Sequence, residues 1–371
     1  MFITSSNLAH YLMSRGLVTA HSIVDDGFMV MEAGRRNRNF KVKRGGTSGL
    51  FVKQPQTTAP DALLSLHKEA SFYQLLRSRP ALEPLARLIP RFIDYDPATV
   101  TLVIEFLSEG ENLTEHHFRR GGFPQDVGAM IGRGLGSYHS NAARVLSEPV
   151  EPELLPRRLP WIFTLPPQAP FSLMSPVGIG EKMNSLLLHF PGLIERISSM
   201  GQEWRVDSVI HGDMKWDNFI ISGSGGPSPR LHIVDWEMVD LGDASWDVAS
   251  VITGYLFHWL YSSYALQRGR SAEELEAEAL RSLEQVRPAL RAFWRAYADT
   301  RCFDAVMERE YLKRCIRFSS PRGVVAVFEN LYNLNELAPH AVALMSLSQS
   351  ISQNPEQALL DLMGIAVEKA P

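Results

Sequence analysis

One stretch constrains this chain more than any other. It runs His211-Gly212-Asp213-Met214-Lys215-Trp216-Asp217-Asn218, then Phe219-Ile220-Ile221, a Gly/Ser/Pro-rich turn, and Leu231-His232-Ile233-Val234-Asp235-Trp236-Glu237. Two short, mostly apolar runs separated by turn residues read as a β-hairpin. Pairing them carries Asn218 and Asp235 back to the same edge, with Asp213 just upstream. Taken singly, His-Gly-Asp is usually a turn, and an Asp after two apolar residues usually ends a strand. Taken jointly across a hairpin they form a cluster. Asn218 and Asp235 offer hard oxygen ligands of the kind Mg²⁺ takes, and Asp213 offers a carboxylate that can orient a hydroxyl and accept its proton. Phosphoryl transfer from ATP needs both parts.

The rest of the chain supplies the setting. Residues 4 to 17 read as a short helix with Leu8, Leu12 and Leu17 on one side. Three strands follow, around 28–31, 39–42 and 50–53, with hairpin turns at Gly34 to Asn37 and Gly45 to Gly49. Asp61 to Arg77 predicts a helix capped by Asp61, with Leu64, His67, Ala70, Phe72, Leu75 and Leu76 as its apolar cover. Strands around 92–95 and 101–106 complete a small antiparallel sheet. After Glu105 the pattern turns helical. Gly128, Gly132 and Gly136 permit close helix packing, and the eight prolines between 149 and 176 predict a long loop. A helix is expected near Gly178 to Met200, and a charged, exposed one over Glu273 to Arg287.

Bulk properties exclude several classes. The net charge of -4 provides no global positive field, so nucleic acid is not an expected partner. The two cysteines, Cys302 and Cys315, fit neither a disulfide framework nor a zinc pattern and are expected as reduced thiols of a cytoplasmic protein. The first residues lack a signal-peptide core. Val248 to Gln267 carries no Asp, Glu, Lys or Arg, yet its Ser, Thr, Gly and His residues point to a buried helix rather than a membrane span. Residues 1 to 60 hold eight Lys or Arg against three acids. For Lys43 and Arg44 this reads as a solvated strand face; for Arg36 to Asn39, in the first turn, phosphate contact and a solvated turn both stay open. There is no Walker A lysine motif.

The residues 211–218 with 233–237, and Asp243-Ala244-Ser245-Trp246-Asp247-Val248-Ala249 after them, resemble the aminoglycoside phosphotransferase and choline kinase group of the protein-kinase-like fold. That resemblance implies a bilobal α+β architecture: a small antiparallel β-sheet lobe with one helix, residues 1–107, and a large, mainly helical lobe, residues 108–371. It implies an enzyme that moves a phosphoryl group from ATP, with Mg²⁺, to a hydroxyl of a small molecule. Asp213 then matches the catalytic base, and Asn218 and Asp235 the metal ligands. Lys53 matches the lysine on the α- and β-phosphates, Glu69 its ion-pair partner, and Glu105, Phe106 and Leu107 the segment whose backbone reaches adenine. The turn from Gly34 to Asn39 matches the loop over the phosphates but holds a single glycine, so Arg36 or Asn37 is expected to substitute for backbone amides. Lys215 is expected to neutralise charge on the transferred phosphoryl group. Asp247 and His211 are expected to hold the catalytic loop.

Two other readings remain at this stage. Lys215 also suits a peptide kinase, although the short segment from Asp235 to Asp247 leaves no room for a long activation segment. A nucleotide-binding module without turnover would be favoured by loss of Asp213, Asn218, Asp235 or Lys53, all of which are present. The acceptor site is sought among Trp161, Phe163, Tyr255, His258, Trp259 and Tyr261, without an acidic cluster that would mark a polycationic substrate.

Overall fold

Period-2 alternation folds the first third into a five-stranded antiparallel sheet. Its strands are β1 (Met29–Glu32), β2 (Asn37–Lys43), β3 (Gly49–Pro55), β4 (Phe92–Asp96) and β5 (Thr101–Phe106), in the order β1-β2-β3-β5-β4. The computed structural model describes residues 1–25, 27–34, 37–45, 49–146, 153–168, 171, 178–223, 229–265, 272–334 and 337–365. Phe40, Val42, Leu50, Val52 and Val103 turn one face of the sheet toward Ile3, Leu8, Tyr11, Leu12 and Val18 of the N-terminal segment. The helix there, Leu8–Ser14, is shorter than residues 4 to 17 suggest. Because side chains alternate along a strand, Lys53 points away from that core.

The Pro60–Ser78 helix starts one residue before the expected point. Pro60 occupies its first turn, where a missing N–H costs nothing, and Ala59 caps it without a side-chain bond. Asp61 is therefore not the cap; it sits in the first turn, where the helix dipole favours an acid. The buried stripe is Leu66, Glu69, Ala70, Phe72, Tyr73 and Leu76, at helical spacing, whereas Leu64 is 58% exposed. A carboxylate in that stripe is the first sign of a site.

The chain forms two compact units that do not follow a linear division at residue 107. The first comprises Met1–His116 with Asp217–Val239, and the second His117–Trp216 with Asp240–Pro371. The predicted hairpin explains the difference. Strands Phe219–Ser222 and Arg230–Ile233 pair in the register Phe219↔Ile233, and Phe219–Ser222 also pairs with the strand Glu111–Asn112. Ile233 N donates to Leu88 O at 2.6 Å, which ties the hairpin further to the first unit.

The second unit is built on the helices Gln125–Leu146, Ala244–Ala265, Ala272–Thr300, Ala305–Leu334 and Pro339–Gln353. The glycine ridge acts as expected. A Cβ at Gly128 would stand 2.4 Å from Ala289 O, and one at Gly132 2.2 Å from Phe293 O, so the backbones of Gln125–Leu146 and Ala272–Thr300 touch. The expected helix over Gly178 to Met200 is two, Ile179–Leu187 and Leu193–Met200, broken at Pro191 and at Gly192 with φ +72°. The charged stretch from Glu273 is the start of one long helix whose later turns bury Leu283, Val286 and Leu290. The uncharged run after Val248 lies in a buried helix, and no helix among the described residues is long and apolar enough to cross a membrane. Part of the Pro-rich segment, including residues 149–152 and 172–177, lies outside the described residues.

Candidate active site

In the first unit the sequence-predicted lysine sits in an acidic nest. Lys53 Nζ lies 2.6 Å from Glu69 Oε2 and also ion-pairs with Asp235 Oδ1. Lys53 is 5% exposed and Glu69 1%, so this is a buried pair, whereas the Asp235 side chain is half-buried. Burial by itself would push the ammonium down, but Glu69, Asp235 and Glu237 outweigh it and hold Lys53 firmly protonated. Burial pushes the Glu69 carboxyl up, against the pull of Lys53, to about 7.

Local structure sets this geometry. Phe72, one turn after Glu69, stacks on Trp236 with ring centroids 5.2 Å apart. Trp236 Nε1 donates to Ile233 O at 3.0 Å. The backbone between them is forced into the left-handed region at Asp235, φ +68°, which is uncommon for a residue with a Cβ and aims its carboxylate at Lys53. Val234 N donates to Asn218 O at 2.9 Å, which extends the hairpin register and sets Asn218 opposite Val234, one residue from Asp235. Asn218 is buried. Its amide oxygen and the Asp235 carboxylate are the donor types a hard divalent cation accepts, and Mg²⁺ completes its shell with water and phosphate oxygens, so two protein ligands suffice. Glu237 accepts from Ser65 Oγ at 3.0 Å and adds a third carboxylate around Lys53 that the sequence did not single out.

Other predicted nucleotide contacts are less assembled. Arg36 lies outside the described residues. Asn37 is not in the turn: it opens β2, opposite Pro55, because alternation begins two residues earlier than expected. Gly34 is required where it stands, since a Cβ would meet Asn37 O at 2.8 Å. Glu105 and Phe106 end β5 opposite Leu50 and Gly49. The Glu105 amide donates to Arg91 O at 2.9 Å, and Leu107 O accepts from Gly110 N at 3.0 Å.

The second unit carries the loop expected from the sequence to be catalytic, directly after the strand Ser208–Ile210. Asp247 is fully buried in the Ala244–Ala265 helix, where its Oδ2 accepts from His211 N at 2.7 Å and Tyr138 Oη at 2.9 Å. Its Oδ1 accepts from Gly212 N at 3.1 Å. Burial pushes the Asp247 carboxyl up, but His139, His211 and these donors bring it below the ordinary range. Gly212 has φ +80°, a conformation that favours glycine. His211 Nδ1 accepts from Asp213 N at 3.2 Å, and Trp246 Nε1 donates to Gly212 O at 3.3 Å. The loop is thus clamped at residues 211–213, just before and at Asp213, by Asp247, His211 and Trp246.

Asp213 itself carries two cations. Lys215 Nζ is 2.7 Å from Oδ2, and Arg322 Nη2 is 3.9 Å from Oδ1. Burial pushes the Asp213 carboxyl up, yet Lys215 and Arg322 outweigh it and keep it ionised. The sequence reading missed Arg322. The signal was present, since it is the one charged residue from Phe318 to Phe328. The aromatic acceptor candidates are largely packing residues: Trp161 against Phe171 and Phe328, Phe163 against Trp204, Trp246 and Phe318. His258 stacks on Trp216 with centroids 4.2 Å apart, and Tyr255 packs edge-on against Trp216.

Comparison with known proteins gives the family and the fold. A sequence profile of the phosphotransferase enzyme family matches residues 28–293. None of the curated protein sequences compared matches the chain. Among solved structures, a choline/ethanolamine kinase family protein from Mesorhizobium loti is similar, with 14% identity, TM-score 0.52, and 98% of this chain and 100% of that one covered. The GDP complex of aminoglycoside 2'-phosphotransferase-IIIa gives 13% identity and TM-score 0.53, over 94% and 99% of the two chains. A choline kinase from Cryptosporidium parvum gives 11% and 0.53, over 96% and 97%. At these identities the structural likeness shows the fold, a mixed α+β protein-kinase-like one. The profile match, which spans well over half of the chain, shows the family: the chain belongs to the phosphotransferase enzyme family.

Proposed function

We propose that this phosphotransferase moves the γ-phosphoryl group of ATP to a hydroxyl of a small molecule. The observation that carries this reading is Asp213, an ionised carboxylate on a loop whose neighbouring amides are held by the buried Asp247. Asp213 orients the acceptor hydroxyl and takes its proton as the oxygen attacks phosphorus, while the bond from phosphorus to the β-phosphate bridging oxygen breaks and ADP leaves. Lys53, fixed by Glu69, binds the triphosphate, and residues 105–107 supply backbone groups toward adenine. Lys215 shields negative charge on the transferred group.

Asn218 and Asp235 fit a magnesium ion by their donor chemistry, and such an ion would neutralise charge on the phosphates when bound. The cytoplasm, where ATP is available, suits an enzyme whose Cys302 and Cys315 are both free thiols. The similar structures are named for choline, ethanolamine and aminoglycosides, which supports a small polar alcohol as acceptor.

The test is ATP turnover against a panel of metabolite alcohols, with ADP release coupled to NADH oxidation and product phosphate confirmed by mass. Phosphorylation of at least one small alcohol, and none of a peptide library, is expected. Phosphorylation of peptides alone contradicts the reading.

A further inference from the structure

Arg322 is a feature of the second unit that the proposed chemistry leaves unexplained. It is 6% exposed, yet among the described residues its guanidinium donates no hydrogen bond, and its Nε is buried without a partner. Its contacts there are the 3.9 Å approach of Nη2 to Asp213 Oδ1, too long for a hydrogen bond, and the face of Trp246, with the ring centroid 5.1 Å from Cζ. A guanidinium has five N–H donors, and burying even one of them, here Nε, without a partner is costly. A residue kept only for packing would be better apolar.

A counter-ion role for Asp213 does not account for it either. Lys215 already donates to the Asp213 carboxylate at 2.7 Å. The ion pair of that carboxylate is thus made without Arg322, and the guanidinium is held in place on an aromatic ring. Trp246 holds its plane, and Trp246 is itself anchored to the catalytic loop through Gly212 O. The same loop therefore orients the base and the unsatisfied cation.

We propose that Arg322 binds an anionic substituent of the acceptor, so that the substrate is a small alcohol carrying a carboxylate or phosphate group. This rests on the reading of Asp213 as the acceptor-side base. An anion accepting from Arg322 at about 2.8 Å lies within the span of a short carbon skeleton from a hydroxyl held by Asp213. It gives the guanidinium the acceptor it lacks among the described residues. A cationic acceptor would meet Arg322 and Lys215 with the same sign.

The experiment compares each alcohol in three forms: carboxylate or phosphate ester, neutral amide or parent alcohol, and amine. ATP-dependent phosphorylation is read for the parent enzyme, R322Q and R322K. The parent should favour the anionic form by about tenfold or more in kcat/KM. R322Q should raise KM for that form by the same factor, with KM for ATP within about twofold, and R322K should restore part of the preference. A parent enzyme that prefers neutral or amine forms overturns the proposal, as does an R322Q variant that slows all forms alike.

A binding arm needs no turnover. D-Glycerate and inorganic phosphate, but not glyceramide, should raise the thermal midpoint of the parent and not that of R322Q. If anions stabilise the parent through Arg322 while no alcohol is phosphorylated, the kinase reading fails and the anion site stands. If alcohols are phosphorylated without regard to charge, the kinase reading stands and the anion site fails. Should R322Q not fold, the charge preference of the parent and of R322K decides.

Discussion

Lys53 ion-pairs with Asp235 across 182 positions of sequence, and the same ammonium sits 2.6 Å from Glu69. One cation thus holds together a sheet strand, a helix and the end of a hairpin. Replacing it by Met leaves the carboxylates facing one another in a buried site. Lys53→Met should cost about 3 kcal/mol in urea denaturation and weaken nucleotide binding. The cost should be smaller at pH 6 than at pH 8. Glu69, held up near 7 by burial even beside the ammonium, takes a proton more readily in the fold than in the unfolded chain, so acid relieves the repulsion. An equal cost at both pH values would show that Glu69 does not respond to its burial.

The clamp on the catalytic loop gives a second expectation. Asp247→Asn keeps the shape but replaces a charged acceptor of two amide bonds by a neutral one with a single acceptor oxygen. Loss of about 2 kcal/mol of stability is expected from weakened charge-assisted bonds. A fall in kcat larger than any rise in KM for ATP should accompany it, because the loop is displaced and the nucleotide residues of the first unit are not. Equal loss in both parameters would contradict a role confined to the loop.

Helix packing can be tested by sign. In an exposed helix Gly→Ala stabilises by up to about 1 kcal/mol. At Gly132 the new methyl would stand 2.2 Å from Phe293 O, a backbone atom that cannot step aside alone. Gly132→Ala should therefore destabilise, by roughly 2 kcal/mol or more, measured by chemical denaturation. Gly122→Ala, in the bend before that helix, where a Cβ meets nothing within 4 Å, is an open-space control and should be near neutral.

His258 supplies the pH dependence. Burial, and then the neighbouring His340, push its pKa down to about 4. The unfolded chain takes up a proton near 6.5 that the fold refuses. Stability from this group is therefore complete above about 6.5 and is lost as pH falls toward 4, by up to about 3 kcal/mol. His139 and His340 are shifted the same way, so His258→Gln should flatten the acid limb in part rather than abolish it. Thermal midpoints between pH 4 and 7 measure this.

Much of the fold was legible because it rests on short-range signals. Alternation gave β1 to β5, glycines four residues apart gave a helix–helix contact, and an apolar–turn–apolar pattern gave the hairpin behind Asn218 and Asp235. Three kinds of information were not local. Asn37 reads as a turn residue by type, but pairing with Pro55 draws it into a strand. The Gly178 to Met200 periodicity runs across a break that Pro191 and Gly192 impose. Membership of the hairpin in the first unit depends on Glu111–Asn112 and Leu88, which pattern alone does not connect to it. Within each unit, Lys53 with Glu69 and Asp235, and Asp213 with Lys215, are paired as sequence neighbourhoods suggested. Within the second unit, Arg322 comes to Asp213 through packing and looks like an ordinary charge in its own neighbourhood.

As proposed, Asp213 accepts the proton from a small alcohol and takes no part in holding the nucleotide. The most direct test is Asp213→Asn, assayed for phosphoryl transfer to the alcohol identified by the panel and, in the same preparation, for ATP affinity by calorimetry. A fall in kcat of about 10² to 10⁴ is expected, with ATP affinity within about threefold of the parent. Transfer at the parent rate would contradict it.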